Sequence, residues 1–171
     1  GIDMDIIYRN MENFANTISS VVDECRAWNG YTTCMWHNLI NSVIVYDRNG
    51  KLRDLQRKYE IPYPEKLKGN IIDNNFKLLT GMLPSFDRQI EKAEQRGDLV
   101  SVNHRVTEFL ASYFDILFAL NEMTHPGEKR MQSTCSRECR ILPANFDRNL
   151  NLLFYGMFRE PVSPVIGEMI A

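Results

Sequence analysis

LVSVNHRVTEFLASYFDILFALNEMTHPGEKR, residues Leu99 to Arg130, carries the helical pattern around which the rest of the chain is read. Val102, Val106, Phe109, Tyr113, Leu117, Leu120 and Met123 recur at three- and four-residue steps. That spacing puts them on one face of a helix running from about Leu99 to Thr124. Ser101, His104, Glu108, Ser112, Asp115 and Glu122 form a second, polar stripe, and Phe114 and Phe118 widen the apolar side. Pro126-Gly127 breaks the helix, and Glu128, Lys129 and Arg130 follow at once. A cationic pair beside the start of a new helix suits an anion, because free amides there favour negative charge. The plainer alternative is a solvated charge cluster that helps cap the helix.

Helical periodicity continues in both directions. Ile7, Met11, Phe14, Ile18, Val21 and Cys25 predict a helix from about Asp3 to Ala27, ended by Asn29-Gly30. A second helix starts near Thr32 and buries Trp36, Leu39, Ile40 and Val43. The β-branched run Val43 to Tyr46 also fits a short extended pair, and Asp47-Arg48-Asn49-Gly50 is a turn by composition. Lys51 to Tyr59 reads as a charged helix. After the Pro62 and Pro64 break comes another, carrying Leu67, Ile71, Ile72, Phe76, Leu79 and Met82. Phe86 to Gln95 is helical, with Gly97 as its C-terminal cap and Asp98 as the N-cap of the long helix. Further helices run to about Cys139 and from Phe146 to Phe158. The expected fold is all-α, a bundle of about six to eight helices in a single domain over residues 1–171.

Composition excludes several classes. At 171 residues, 44% hydrophobic and 25% charged, the chain has an ordinary globular balance. A net charge of −2 and a pI of about 6.0 give none of the basic surplus expected of a duplex nucleic-acid binder. The apolar run Phe109 to Leu120 contains Asp115 and falls short of the roughly 20 residues that span a bilayer. GIDMD at the N-terminus has no signal-peptide pattern, so the expected location is cytoplasmic and no membrane partner is expected. Cys25, Cys34, Cys135 and Cys139 read as reduced, packed thiols. The rival is a zinc site in which Cys25 and Cys34, or His37, complete the Cys135/Cys139 pair; no CxxC knuckle supports it.

Sharp catalytic motifs are missing. The chain has no P-loop, GxGxxG, HExxH or GxSxG. Asp3-Met4-Asp5 has DxD letters without a preceding glycine turn, so it is a poor two-metal carboxylate pair. The residues best suited to bind a ligand are Lys129, a point charge, and Arg130, a bidentate fork for phosphate. Asp115, between Phe114 and Ile116, must be paired, exposed or functional, since an unpaired buried charge is costly. A solvated helix face or an arginine partner would explain it without any function.

Three blocks occur in order: VIVYDRNGKLRDLQ (Val43 to Gln56), YPEKLKGNII (Tyr63 to Ile72) and FALNEMTHPGEKR (Phe118 to Arg130). Together they resemble the helical C-terminal part of a bacterial family of nucleotidyltransferase-like proteins, a domain without assigned function in the polymerase-beta-like superfamily. The resemblance runs from about Trp28 to Arg140. It implies an N-terminal core, missing from this chain, that carries the catalytic carboxylates and uses Mg2+ and a nucleoside triphosphate. The helical part would close over nucleotide and an unknown small-molecule acceptor, and would be inactive alone. By the same resemblance Asn121, Glu128, Lys129 and Arg130 line the cleft, Lys129 meets the phosphates, and Asp115 or Glu108 faces the acceptor. No catalytic residue or metal ligand is expected in this chain. The alternative is a non-catalytic helical interaction module, regulatory or antitoxin-like.

Overall fold

The computed structural model describes residues 3–81 and 84–171, so Met82 lies outside the described residues. The described residues form nine helices and no strand. The fold is the expected all-α bundle, with one helix more than the upper count read from the sequence. In chain order the helices are α1 (Met11–Val22), α2 (Cys34–Asn41), α3 (Lys51–Tyr59), α4 (Glu65–Leu79), α5 (Phe86–Gln95), α6 (Leu99–Leu120), α7 (Met131–Glu138), α8 (Phe146–Gly156) and α9 (Ser163–Ile170).

α6 is the axis of the bundle, packed along α4 and α5. Asp98 caps its start, accepting the Ser101 N–H at 3.0 Å. Gly97, at φ 66°, closes α5 in a Schellman turn, with its N–H on Glu94 O and that of Asp98 on Ala93 O. At its far end α6 stops at Leu120, four residues before the expected Thr124. Glu122 takes a left-handed φ of 54°, and the Glu122 and Met123 N–H groups return to Ala119 O and Phe118 O. That closed turn satisfies the last carbonyls and leaves residues 123–127 free to cross to α2.

Two hydrophobic clusters share α6. The larger joins α5, α6, α8 and α9 through Ile90, Val106, Phe109, Leu150 and Ile166. The smaller joins α1 to α4 through Ile18, Trp36, Leu39, Leu67 and Ile71, and reaches α6 only at Ala119. Glu94 fastens α9 to α5, accepting hydrogen bonds from the Val162 and Ser163 N–H groups and the Ser163 hydroxyl.

Two further local expectations fail, both for want of a packing partner. The first helix begins at Met11, not near Asp3, because Asn10 caps it by accepting the Asn13 N–H at 3.0 Å. Ile6 and Ile7 are 70% and 72% exposed, so the apolar spacing upstream of Asn10 has nothing to pack on. Val43, Val45 and Tyr46 are likewise exposed and form neither a strand nor a helix. A strand needs a paired neighbour, and β-branched composition supplies none.

Candidate functional site

The polar stripe of α6 divides into two environments. His104 and Glu108 are exposed, whereas Ser112 and Asp115 are buried. Asp115 is 1% exposed, and its partners are neither solvent nor an arginine. Thr32 donates its N–H to Oδ1 at 3.0 Å and its hydroxyl to Oδ2 at 2.6 Å, and Asn75 donates its amide to Oδ2 at 3.2 Å. Burial raises the Asp115 carboxyl to about 6, against the lowering effect of these three bonds. Neutral donors favour the carboxylate without cancelling its charge.

The HPGE segment packs against the start of α2. The His125 N–H donates to Thr33 Oγ1 at 2.7 Å, and Thr124 Oγ1 lies 2.8 Å from His37 Nδ1. His125 Nδ1 accepts the Gly127 N–H at 3.0 Å, which puts the ring proton on Nε2. That Nε2 is buried without a partner among the described residues, as is the hydroxyl of Tyr63. The imidazole lies between Tyr31 and Phe118, each 4.8 Å away between ring centroids. Burial drives it down to about 4 and it stays neutral, while burial pushes the Tyr63 hydroxyl up. His125 is therefore a buried strut rather than a charged cap on the α6 dipole.

Beyond this strut the chain turns into α7 through Arg130, at φ 60°. A cleft of ≈ 730 Å³ opens between α6, α7 and α8. Leu110, Phe114, Leu150 and Phe154 form its apolar floor, and Glu128, Arg130 and Arg137 line it with charge. Gln132 and Ser136 donate to Asp147 Oδ1 at 2.9 and 2.8 Å, joining α7 to α8 across the cleft wall. Those two bonds hold the Asp147 carboxyl below its usual range.

The expected site residues thus go to different places. Glu128 and Arg130 line the cleft; Lys129 is exposed and is not on its wall. Glu108 is exposed near Tyr31, whose hydroxyl it helps push up after burial and Glu128. Asn121 is occupied as a clamp. Its Oδ1 accepts the Arg140 and Ile141 N–H groups, and its Nδ2 donates to Leu117 O and Ile141 O, all at 2.8 Å. Sequence reasoning passed over Arg137, Gln132, Ser136 and Asp147. The one available signal was the four-residue step from Gln132 to Ser136 and from Ser133 to Arg137, which places polar groups along one side of α7.

Among the described residues no group of three or more His, Cys, Asp or Glu side chains could hold a metal ion, so the four-ligand zinc arrangement does not form. Nor is any of their helices long and apolar enough to cross a membrane. Among the described residues, fold and cleft together define an all-helical protein with a charged, apolar-floored cleft beside its central helix. The family model described as "Domain of unknown function (DUF4037)" matches residues 28–131, more than half of the chain, and the chain belongs to that family. No curated protein and no solved structure matches it.

Proposed function

We propose that this chain is the substrate-binding helical domain of a nucleotidyltransferase-like enzyme, with the nucleotide lying in the cleft between α6, α7 and α8. The reading is carried by the convergence of Glu128 and Arg130, from the PGEKR turn, with Arg137 above an apolar floor. Guanidinium forks suit phosphate oxygens, and Phe154 offers a face on which a base can stack. A cleft of ≈ 730 Å³ falls within the usual range of small-molecule sites. Among the described residues no group of three or more acidic, His or Cys side chains converges to hold a metal ion without help from substrate. The catalytic carboxylates and their metal would belong to a core outside this chain, and these helices would bind and orient substrate.

The test is a titration of ATP with magnesium into full-length protein. Arg130→Ala is expected to weaken binding roughly tenfold or more, as for loss of a charge-assisted hydrogen bond. Lys129→Ala should change it little, because Lys129 is off the cleft wall. Unchanged affinity in Arg130→Ala would remove the nucleotide from this cleft.

A second reading, a helical interaction module, draws on the outer surface of α8 and the turn after it. Leu152, Phe154, Tyr155 and Phe158 are 43%, 53%, 75% and 58% exposed. Exposed apolar groups gathered in this way mark contact surfaces. Concentration-dependent association abolished by Tyr155→Ser with Phe158→Ser, in a parent without nucleotide affinity, would favour it.

A further inference from the structure

Asp147, in the first turn of α8, brings a negative charge to the cleft wall that only half of its carboxylate explains. Oδ1 accepts from Gln132 Nε2 at 2.9 Å and from the Ser136 hydroxyl at 2.8 Å. Gln132 and Ser136 lie one turn apart on α7, so the carboxylate is held against that helix at two points. Tying α7 to α8 uses this oxygen alone. Among the described residues no hydrogen bond falls on Oδ2 and no cation pairs with the carboxylate. Arg137, next to Ser136, pairs with Glu138 at 2.6 Å instead. The two bonds from α7 keep the Asp147 carboxyl below its usual range, so it is ionised at neutral pH, and the side chain is exposed to a ligand.

We infer that Asp147 binds the 2′-hydroxyl of a ribose, so that the cleft takes ribonucleotides in preference to 2′-deoxyribonucleotides. This role rests on the nucleotide lying between α6, α7 and α8, and adds the sugar to that reading. An ionised carboxylate only accepts hydrogen bonds, and it repels phosphate. The donors a nucleotide offers it are sugar hydroxyls and the amino or imino groups of the base. Acidic side chains serve the ribose 2′-hydroxyl in dinucleotide-binding folds by the same chemistry. The position of Asp147 favours the sugar. Through Gln132 it is held to the start of α7, two residues from Arg130. Leu150 and Phe154 follow it at three and seven residues, so all three line the cleft from one side of α8. Phe154 is roughly 10 Å further along that axis, and a long helical side chain leans back over the preceding turn. Asp147 thus joins the element that carries the phosphate-binding cation to the one that carries the base-stacking ring. In a nucleotide the ribose makes that same connection.

The experiment titrates full-length protein with magnesium-ATP and with magnesium-dATP, which differ only in the 2′-hydroxyl. ATP should bind roughly tenfold or more tightly than dATP, as for a hydrogen bond to a charged group. Asp147→Asn keeps a carbonyl oxygen for Gln132 and Ser136 but removes the charge. It should weaken ATP roughly tenfold, leave dATP nearly unchanged and bring the two within about threefold of each other. Equal affinity of the parent for ATP and dATP would overturn the sugar contact and leave intact the nucleotide reading that Arg130→Ala tests. An undiminished preference in Asp147→Asn would do the same. A parent that binds neither nucleotide would remove the reading and the sugar contact together. If circular dichroism shows that Asp147→Asn does not fold, Gln132→Met takes its place. By freeing the carboxylate from α7 it should shrink the ATP preference, and an unchanged preference would overturn the role of Asp147.

Discussion

Thr32 binds both carboxylate oxygens of Asp115 from 83 residues away, through its N–H at 3.0 Å and its hydroxyl at 2.6 Å. Asn75 links the same carboxylate to the loop before α2, donating to Asp115 Oδ2 at 3.2 Å while its own Oδ1 accepts the Gly30 N–H at 3.0 Å. One acidic side chain on α6 therefore fastens α4 and the loop between α1 and α2 to the central helix.

Asp115→Ala should destabilise the fold by roughly 2–4 kcal/mol, because the Thr32 N–H would be left buried and unpaired and the carboxylate's volume would be lost from the core; the Asn75 amide keeps the Trp28 and Ile71 carbonyls as partners. Asp115→Asn keeps one carbonyl acceptor and should cost about 1 kcal/mol. Urea unfolding followed by circular dichroism measures both. Equal costs would mean that shape, not hydrogen bonding, is what the site needs.

Asp115 and His125 should oppose each other in acid. The Asp115 carboxyl is raised to about 6 in the fold, so the folded chain binds that proton more tightly than the unfolded one. Its contribution is present at low pH and is lost as pH rises through about 6. His125 is lowered to about 4 from 6.5, so its contribution is present above 6.5 and is lost as pH falls towards 4. Each effect is worth roughly 3 kcal/mol, and between about pH 4.5 and 6 they nearly cancel. Asp115→Asn removes one side of the balance. Its urea midpoint should fall steeply on acidification through that window while the parent's stays nearly level.

Gly30→Ala should be severe. Gly30 sits at φ +85°, and a Cβ there would lie 2.8 Å from Ala111 Cβ and 2.9 Å from the Ala111 carbonyl carbon. Both the left-handed backbone and the contact with α6 act against a side chain. A loss of about 3 kcal/mol or more is expected in thermal or urea unfolding. A near-neutral result would mean that the loop lifts off α6 at little cost.

Asn121→Ala separates a structural role from a ligand-binding one. Losing the clamp on Arg140 and Ile141 should cost about 1–2 kcal/mol. It should also speed amide hydrogen exchange at Arg140 and Ile141, where Asn121 accepts both N–H groups. Nucleotide affinity of the full-length protein should stay unchanged.

Periodicity alone settles the helical class, because the apolar steps of α4, α5, α6 and α8 cannot be satisfied by strands. The α5–α6 junction is legible too, since Gly97 and Asp98 act through local backbone geometry. Ile7 shows where periodicity stops being informative: its spacing matches α1, yet nothing covers it. The candidate site was legible only in part. Glu128 and Arg130 were recognisable from charge beside a helix break, whereas Arg137 and Asp147 meet at the cleft because Gln132 and Ser136 of α7 hold the Asp147 carboxylate at the start of α8.

What each polar residue of the long helix is for depends on the neighbours that folding brings to it. Helical spacing placed Glu108 and Asp115 on one stripe, but it carries no information on which neighbour arrives to cover which turn. The loop ending in Thr32 buried Asp115, and nothing buried Glu108. Desolvation and hydrogen bonding are set by partners distant in sequence, and those set the charge, the cost and the role of a side chain.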